Sequence, residues 1–580
     1  MSTAPFLAAA VQFEPTMFAK DANIARLLDL VEQAARRGAK LITTPEMATT
    51  GYCWYDRQEI ASQVETVPGP TTARFAELAR RHQCYIVLGM PEVDAATQLY
   101  YNSALLIGPQ GVIGRHRKSH PYISEPKWAA AGDVGHQVFD TPLGKIGMLI
   151  CMDIHFPETA RLLALAGADI ICHISNWLAE RTPAPYWISR AMENGCYLLE
   201  SNRWGLERGV QFSGGSTIIA PDGALIDVVD SGDGIAYGEI DVRLSRRRRV
   251  LGEPVFTQRR PQAYHALLSD SFLWNPADFF GLYGRHPLPA GKQSRISVCQ
   301  FSPGDRLEDN LGRIETLTRE AVGQRHSELV VFPELALTGR DAPETSAQTL
   351  DAPALRSLTR LAMRLRVYLA FGMAEKQGES YYNTQVLLGP EGMIGCYRQM
   401  HLPQAYRSWA SAGEQWRAFD TPVGRIGLLL GNDALFPESA RILTLMGCDI
   451  VACSAALDGG FVSGHAGSQV PQNYPIPAGA DPLHWHLLRT RAGENNLYLA
   501  FANSVDERHR RGGYSGIFGP ETFTFPRHEQ VLWQDEGIAT LTIDTASLAG
   551  SPAPTNPVRR KDLVSMRQVH HYPPLLREQG

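Results

Sequence analysis

The chain has little charge for its length. Charged residues are 20% of the 580, and Lys plus Arg (55) nearly balance Asp plus Glu (60), leaving a net charge of −5. A disordered chain needs high charge and few apolar residues, and a dedicated nucleic-acid binder needs a basic excess; both are excluded. The dense basic run Arg246 to Arg249 reads as a solvated edge. Nine scattered cysteines are too few and too irregular for a disulfide scaffold, and no CxxC pair exists for zinc or redox chemistry. No run approaches 18 uninterrupted apolar residues, so no membrane span is expected. The first residues, MSTAPFLAAAVQFEP, have no cation ahead of their apolar stretch and read as a core strand, not a signal peptide. HExxH, Walker A and Rossmann glycine patterns are missing, and His484-Trp485-His486 lacks a third convergent ligand, so neither metal nor nucleotide cofactor is expected. These absences describe a globular protein of a reducing, cytoplasmic compartment.

What the chain does have is a copy of itself. Phe139 to Leu163 (FDTPLGKIGMLICMDIHFPETARLL) returns as Phe419 to Leu443 (FDTPVGRIGLLLGNDALFPESARIL), with 15 identities in 25 at an offset of 280. TTPEMATTGY from Thr43 pairs with VFPELALTGR from Val331, and YYNSALLIGPQGVIG from Tyr100 with YYNTQVLLGPEGMIG from Tyr381. RAMENGCYLLESN from Arg190 pairs with RAGENNLYLAFAN from Arg491. Colinear repeats over this span mean that one domain was duplicated whole. The expected copies are 1–265 and 293–580, joined by an aromatic, Pro- and Gly-containing connector at 266–292 that should pack rather than wave.

Within the first copy, KLITT before Pro45, CYIVLGM at Cys84, SALLIG at Ser103, KIGMLIC ending at Cys151 and ADIICHIS at Ala168 read as strands. Helices are expected from Asn23 and from Pro157, stopped by Gly38 and Gly167, with turns at GPQG and APDG. Strands alternating with helices imply an α/β layered domain.

Cys151 ends a buried-type strand just before a helix start, where a thiolate can be stabilised and aimed. Glu46 and Lys118 also follow strands, where α/β folds collect active-site residues. These three motifs, in this order, resemble the carbon–nitrogen hydrolase (nitrilase/amidase) superfamily, once per copy over nearly the whole chain. The resemblance implies two tandem αββα sandwiches and a Glu46–Lys118–Cys151 triad. In that triad Glu46 is the general base, Cys151 forms a thioester, and Lys118 with the backbone N–H of Met152 stabilises the oxyanion. Glu125 in ISEPKW stands where the family often places a supporting glutamate.

The second copy keeps Glu334 but carries Gln399 at Lys118, Tyr406 at Glu125 and Gly431 at Cys151. Covalent catalysis by this route is impossible there. That copy is expected to serve as a covalently attached partner in an intramolecular pseudo-dimer, with further homo-oligomerisation left open; a ligand pocket on the dead site is the alternative. The cysteine is followed by Met152-Asp153 and by FPE at Phe156, and SNRWG and FSGGSTIIAPDG resemble the carbamoylputrescine-amidase group. The expected reaction is hydrolysis of a small linear amide or N-carbamoyl compound, with a nitrilase and a non-catalytic binding protein as rivals. The adjacent Cys172 and His173 cannot pair with each other from opposite faces of one strand, and core packing accounts for Cys172.

Overall fold

A computed structural model describes residues 4–122, 124–178, 183–247, 249–269, 288–340, 343–458, 462–465, 479–506, 511–521, 527–546 and 555–578. Most of the 266–292 connector therefore lies outside the described residues. The chain divides into two compact units, Met1–Gly252 with Val462–Leu483 and His570–Leu575, and Glu253–Phe461 with His484–Val569 and Leu576–Gly580.

The first unit is built on two six-stranded sheets. One runs in the order Gly234–Ile240, Phe6–Gln12, Leu41–Thr43, Tyr85–Val93, Tyr100–Gly108, Gly111–Arg117. The other runs Leu225–Val229, Ser216–Ile219, Tyr197–Asn202, Ile170–Ser175, Gly144–Ile150, Val138–Thr141. Their inner faces meet, with Thr43 and Ser201 sharing a 2.6 Å hydroxyl hydrogen bond between the sheets. The outer face of the first sheet is covered by helices Lys20–Arg36 and Pro70–His82, and that of the second by Pro157–Leu165 and Pro185–Asn194. Each helix buries its apolar stripe: Ile24, Leu27, Val31 and Ala34 recur at helical spacing and are fully covered. Burying each of the larger ones contributes about 1.5–3 kcal/mol, which is what holds the layers together. Gly38 and Gly167 end their helices at φ +99° and +93°, as their sequence positions imply.

The second unit repeats this plan. Its sheets run Gly392–Arg398, Ser380–Gly389, Tyr368–Gln377, Leu329–Val331, Gln293–Gln300, Gly537–Asp544, and Ala418–Thr421, Gly424–Leu430, Ile450–Ala455, Tyr498–Asn503, Gly516–Phe518, Glu529–Val531. The tandem αββα architecture is what the duplicated motifs imply. One sequence boundary moves: the KIGMLIC strand stops at Ile150, and Cys151 opens a tight 3₁₀ turn, Cys151–His155.

Two features place functional side chains. Glu46 turns off strand Leu41–Thr43, and the neighbouring strand passes so close that a Cβ on Gly89 would lie 2.2 Å from the Pro45 carbonyl and 2.9 Å from the Glu46 Cα. Gly372 meets Glu334 in the same way, at 2.6 Å, so both copies need glycine there. Asp153 accepts from Ile150 N (3.2 Å), Ser119 N (3.1 Å), His120 N (3.0 Å), His116 Nε2 (2.8 Å) and His120 Nδ1 (2.9 Å). It thereby ties the turn after Cys151 to the loop after Lys118. Asp433 does the same through His401 and Tyr397.

No described helix is long and apolar enough to cross a membrane. All nine cysteines are free thiols. Arg246 of the basic run pairs with Asp169 at 3.0 Å while staying half-exposed.

Candidate active site

Glu46, Lys118, Glu125 and Cys151 converge on one buried site in the first unit. Lys118 Nζ donates to Glu46 Oε1 at 2.8 Å and to Glu125 Oε2 at 2.6 Å, and all three side chains are essentially excluded from solvent. Asn102 Nδ2 donates to both carboxylates, at 2.6 Å to Glu46 and 2.5 Å to Glu125. The second Glu46 oxygen accepts from Asn176 N at 2.8 Å, and Tyr122 N donates to Glu125 at 2.6 Å. Glu125 opens a short 3₁₀ turn, Glu125–Lys127, with its carboxylate turned inward. Every carboxylate oxygen in the cluster therefore has a donor, as burial of charge demands.

The electrostatics follow from one cation among two acids. Burial works against the Lys118 charge, but Glu125 and Glu46 outweigh it, and its pKa stands well above the ordinary lysine value. Burial and then the charge of Glu46 push the Cys151 thiol well up, against the opposing pull of Lys118 and of a hydrogen bond from Asn176 N. The thiolate suggested by the strand-end position is thus not the resting form. Burial first, and then the charge of Glu46, favour the protonated sulfur over its anion in the free site.

Cys151 has φ +44°, in the left-handed region that a side chain rarely adopts. The 3₁₀ turn that follows it, Met152 included, is buried. Around the cluster, buried polar groups with no hydrogen-bond partner among the described residues include the Tyr52 hydroxyl, Trp128 Nε1, Asn102 Oδ1 and both side-chain amide atoms of Asn176. Lys118 Nζ lies 5.6 Å from the Tyr52 ring centroid, and Tyr52 and Trp128 belong to one apolar cluster with Met47, Trp54 and Phe212. Groups left unsatisfied cost about 1–3 kcal/mol each, a cost a bound molecule removes. The sequence motifs omit Asn102, Tyr52 and Asn176 as site residues. Asn102 and Tyr52 nevertheless stand inside the repeated YYN and TTGY segments, which was the available signal.

In the second unit the corresponding groups sit differently. Asn383 Nδ2 donates to Glu334 Oε1 at 2.7 Å and to Gln399 Oε1 at 2.8 Å, while Glu334 Oε2 accepts from Gly431 N at 3.2 Å. A Cβ on Gly431 would lie 2.9 Å from that oxygen. Burial pushes the Glu334 carboxyl up to about 7, against the lowering effects of the Asn383 hydrogen bond and the charge of Arg340. Among the described residues no group of three His, Cys, Asp or Glu side chains could hold a metal ion, and His484 and Trp485 instead donate to the Tyr514 carbonyl.

Comparison with known proteins gives the same division. A curated nitrilase of Pyrococcus abyssi is 37% identical over 257 residues, covering 44% of this chain and 97% of the relative. The human omega-amidase NIT2 is 27% identical over 275 residues, 45% of this chain and 96% of the relative. Among solved structures, a carbon–nitrogen hydrolase of Helicobacter pylori G27 is 25% identical with a TM-score of 0.40, over 42% of this chain and 93% of that one. Each relative spans about one copy. The profile of the carbon–nitrogen hydrolase family matches residues 7–249 and again 295–552. The chain thus belongs to the carbon–nitrogen hydrolase family, twice over.

Proposed function

We propose that the first unit hydrolyses a small linear amide or N-carbamoyl compound through a thioester on Cys151, and that the second unit is catalytically silent. The observation that carries this reading is the buried Glu46–Lys118–Glu125 cluster set around a cysteine in a left-handed turn.

Because the sulfur rests as a thiol, its proton leaves as the C–S bond forms. Glu46 takes that proton while Sγ attacks the carbonyl carbon. The charge that develops on oxygen is held by Lys118 and by the backbone N–H of Met152. As the tetrahedral intermediate collapses, the C–N bond breaks and the amine leaves with the proton held by Glu46. Water then attacks the thioester, Glu46 takes its proton, and collapse returns that proton to Sγ and releases the acid. Glu125 and Asn102 keep Lys118 charged and aimed. Tyr52, Trp128 and Asn176 offer the polar contacts that orient the substrate.

The same triad serves a nitrile, and a relative named nitrilase favours that second reading. The amide reading rests on Met152-Asp153 after the cysteine, on the FPE, NRWG and FSGGS segments, and on relatives named omega-amidase. An ammonia-release screen over matched amides, ureides and nitriles separates them. The expected result is a kcat/KM for the amide or ureide at least about tenfold above that for the nitrile. Equal or faster nitrile turnover would select the second reading.

A further inference from the structure

We propose that His173 and Glu200 form a buried positioning dyad that holds the carbonyl of Cys151 and so maintains the left-handed turn presenting the nucleophile. The proposal rests on the reading of Cys151 as nucleophile and adds two residues that no motif assigns.

His173 and Glu200 lie directly opposite each other on adjacent parallel strands, and both are fully buried. His173 Nδ1 is hydrogen-bonded to Glu200 Oε2, and the other Glu200 oxygen accepts from Ser175 Oγ at 2.5 Å. The far ring nitrogen, Nε2, donates to the Cys151 carbonyl at 3.1 Å. A carbonyl can only accept, so Nε2 carries a hydrogen. A second proton then lies between Nδ1 and Oε2, and the pair is neutral as a whole whichever atom holds it. Burial raises the Glu200 pKa, with Glu46 adding to it, which is consistent with a shared proton. The Trp177 and Trp187 rings sit about the imidazole, 6.2 and 6.3 Å away between centroids.

The second unit supplies the control. There Cys453 stands at His173, Phe501 at Glu200 and Ala455 at Ser175, on strands paired in the same register. Neither Cys453 nor Phe501 brings an imidazole to the Gly431 carbonyl. Gly431 could adopt a left-handed φ without strain, yet it is not among the glycines that do. Cys151, for which that conformation is costly, adopts it. The aspartate bracing the turn is common to both units, as Asp153 and Asp433, so it cannot be the cause of the difference. Two things differ at the turn: the dyad behind it, and the Gly431 N–H bond to Glu334 Oε2, in place of which Glu46 Oε2 accepts from Asn176 N. A buried ionisable pair is also a poor way to gain stability, and an apolar replacement is often neutral or better. The silent unit made that replacement and the catalytic unit did not.

The test uses full-length protein and three readouts: kcat and KM on an amide substrate, the rate at which iodoacetamide alkylates Cys151 by peptide mass spectrometry, and the melting temperature. His173→Phe is expected to lower kcat about 100-fold, the scale of a misplacement near 1 Å, with KM little changed. Alkylation slows in parallel. His173→Gln, whose amide N–H can reach the same carbonyl, restores a large part of both rates. The double variant His173→Cys with Glu200→Phe copies a pair that this scaffold already packs in its second unit, so it folds and shows the same loss. A folded double variant with wild-type kcat and alkylation rate would overturn the dyad. Wild-type protein that turns over the amide without forming an acyl adduct on Cys151 would overturn the nucleophile, and the dyad with it.

Discussion

The two units share their sheets, their helix starts and the glycine beside the glutamate, but differ in the charge they can bury. In the first, Lys118 lies between Glu46 and Glu125, so two carboxylates and one ammonium form a fully bonded set. In the second, loss of the lysine to Gln399 is accompanied by loss of the second acid to Tyr406. The remaining Glu334 turns to the backbone N–H of Gly431 and holds its proton to about pH 7. The lesson is that a lysine bonded between two acids lets the pocket keep both, whereas Arg340, turned to Ala456 O and Asp458, acts on Glu334 only through its field. Without a bonded lysine, desolvation holds the pKa of the remaining acid up despite Arg340.

The sharpest way to break this comparison is to move the nucleophile. Cys151→Ala is expected to cost about 10⁴-fold or more in kcat while leaving the melting temperature nearly unchanged. Adding Gly431→Cys to that variant should restore nothing, because a Cβ there meets Glu334 Oε2 at 2.9 Å and Gln399 stands where the first unit has its lysine. Ammonia release by the double variant would make the second unit a dormant enzyme rather than a silent one.

Next in size is the cation. Lys118→Gln copies the second unit's residue into the first and is expected to lower kcat about 10²–10³-fold, the loss typical of an oxyanion donor. Glu125→Tyr added to it should recover stability but not rate, since it removes a buried acid left without its counter-cation. A recovery of rate would show that Lys118 acts only as a counter-ion.

The smallest effect concerns Glu334 and is read as stability. Its carboxyl rises from 4.5 to about 7 on folding, so the unfolded chain releases this proton first as pH rises. Stability from this group is complete below about pH 4.5, falls as pH climbs to 7 and stays lost above it, by roughly 3 kcal/mol in all. Glu334→Gln should match wild type at pH 4 and exceed it at pH 8, measured by denaturant titration. A constant difference across pH would mean that Glu334 is charged in the native state.

The motifs carried three of the converging side chains, because each follows a strand whose apolar run and turn residues are local signals, while Glu125 and the αββα plan came with the family resemblance. Glu46, Lys118 and Cys151 sit at such ends, and their second copies show by contrast which positions matter. Asn102, Asn176 and Asp153 were not legible as site residues, since their roles arise from hydrogen bonds across sheets and loops. His173 was half legible: alternation on its strand separates it from Cys172, but only the neighbouring strand brings Glu200 opposite it. The protonation of Cys151 lay beyond motif reading altogether. A strand end near a helix start favours a thiolate, and the burial of Cys151 itself, followed by the charge of Glu46, reverses the sign.

The central claim is that one covalent intermediate forms, and in the first unit alone. Wild-type protein mixed with a slowly hydrolysed amide, quenched in acid within a turnover and digested, would be searched by mass spectrometry for an acyl adduct on all nine cysteine peptides. The account predicts an adduct on the Cys151 peptide, its mass equal to the acyl group, absent in Cys151→Ala. An adduct on Cys453 or any other cysteine, or continued ammonia release by Cys151→Ala, would contradict it.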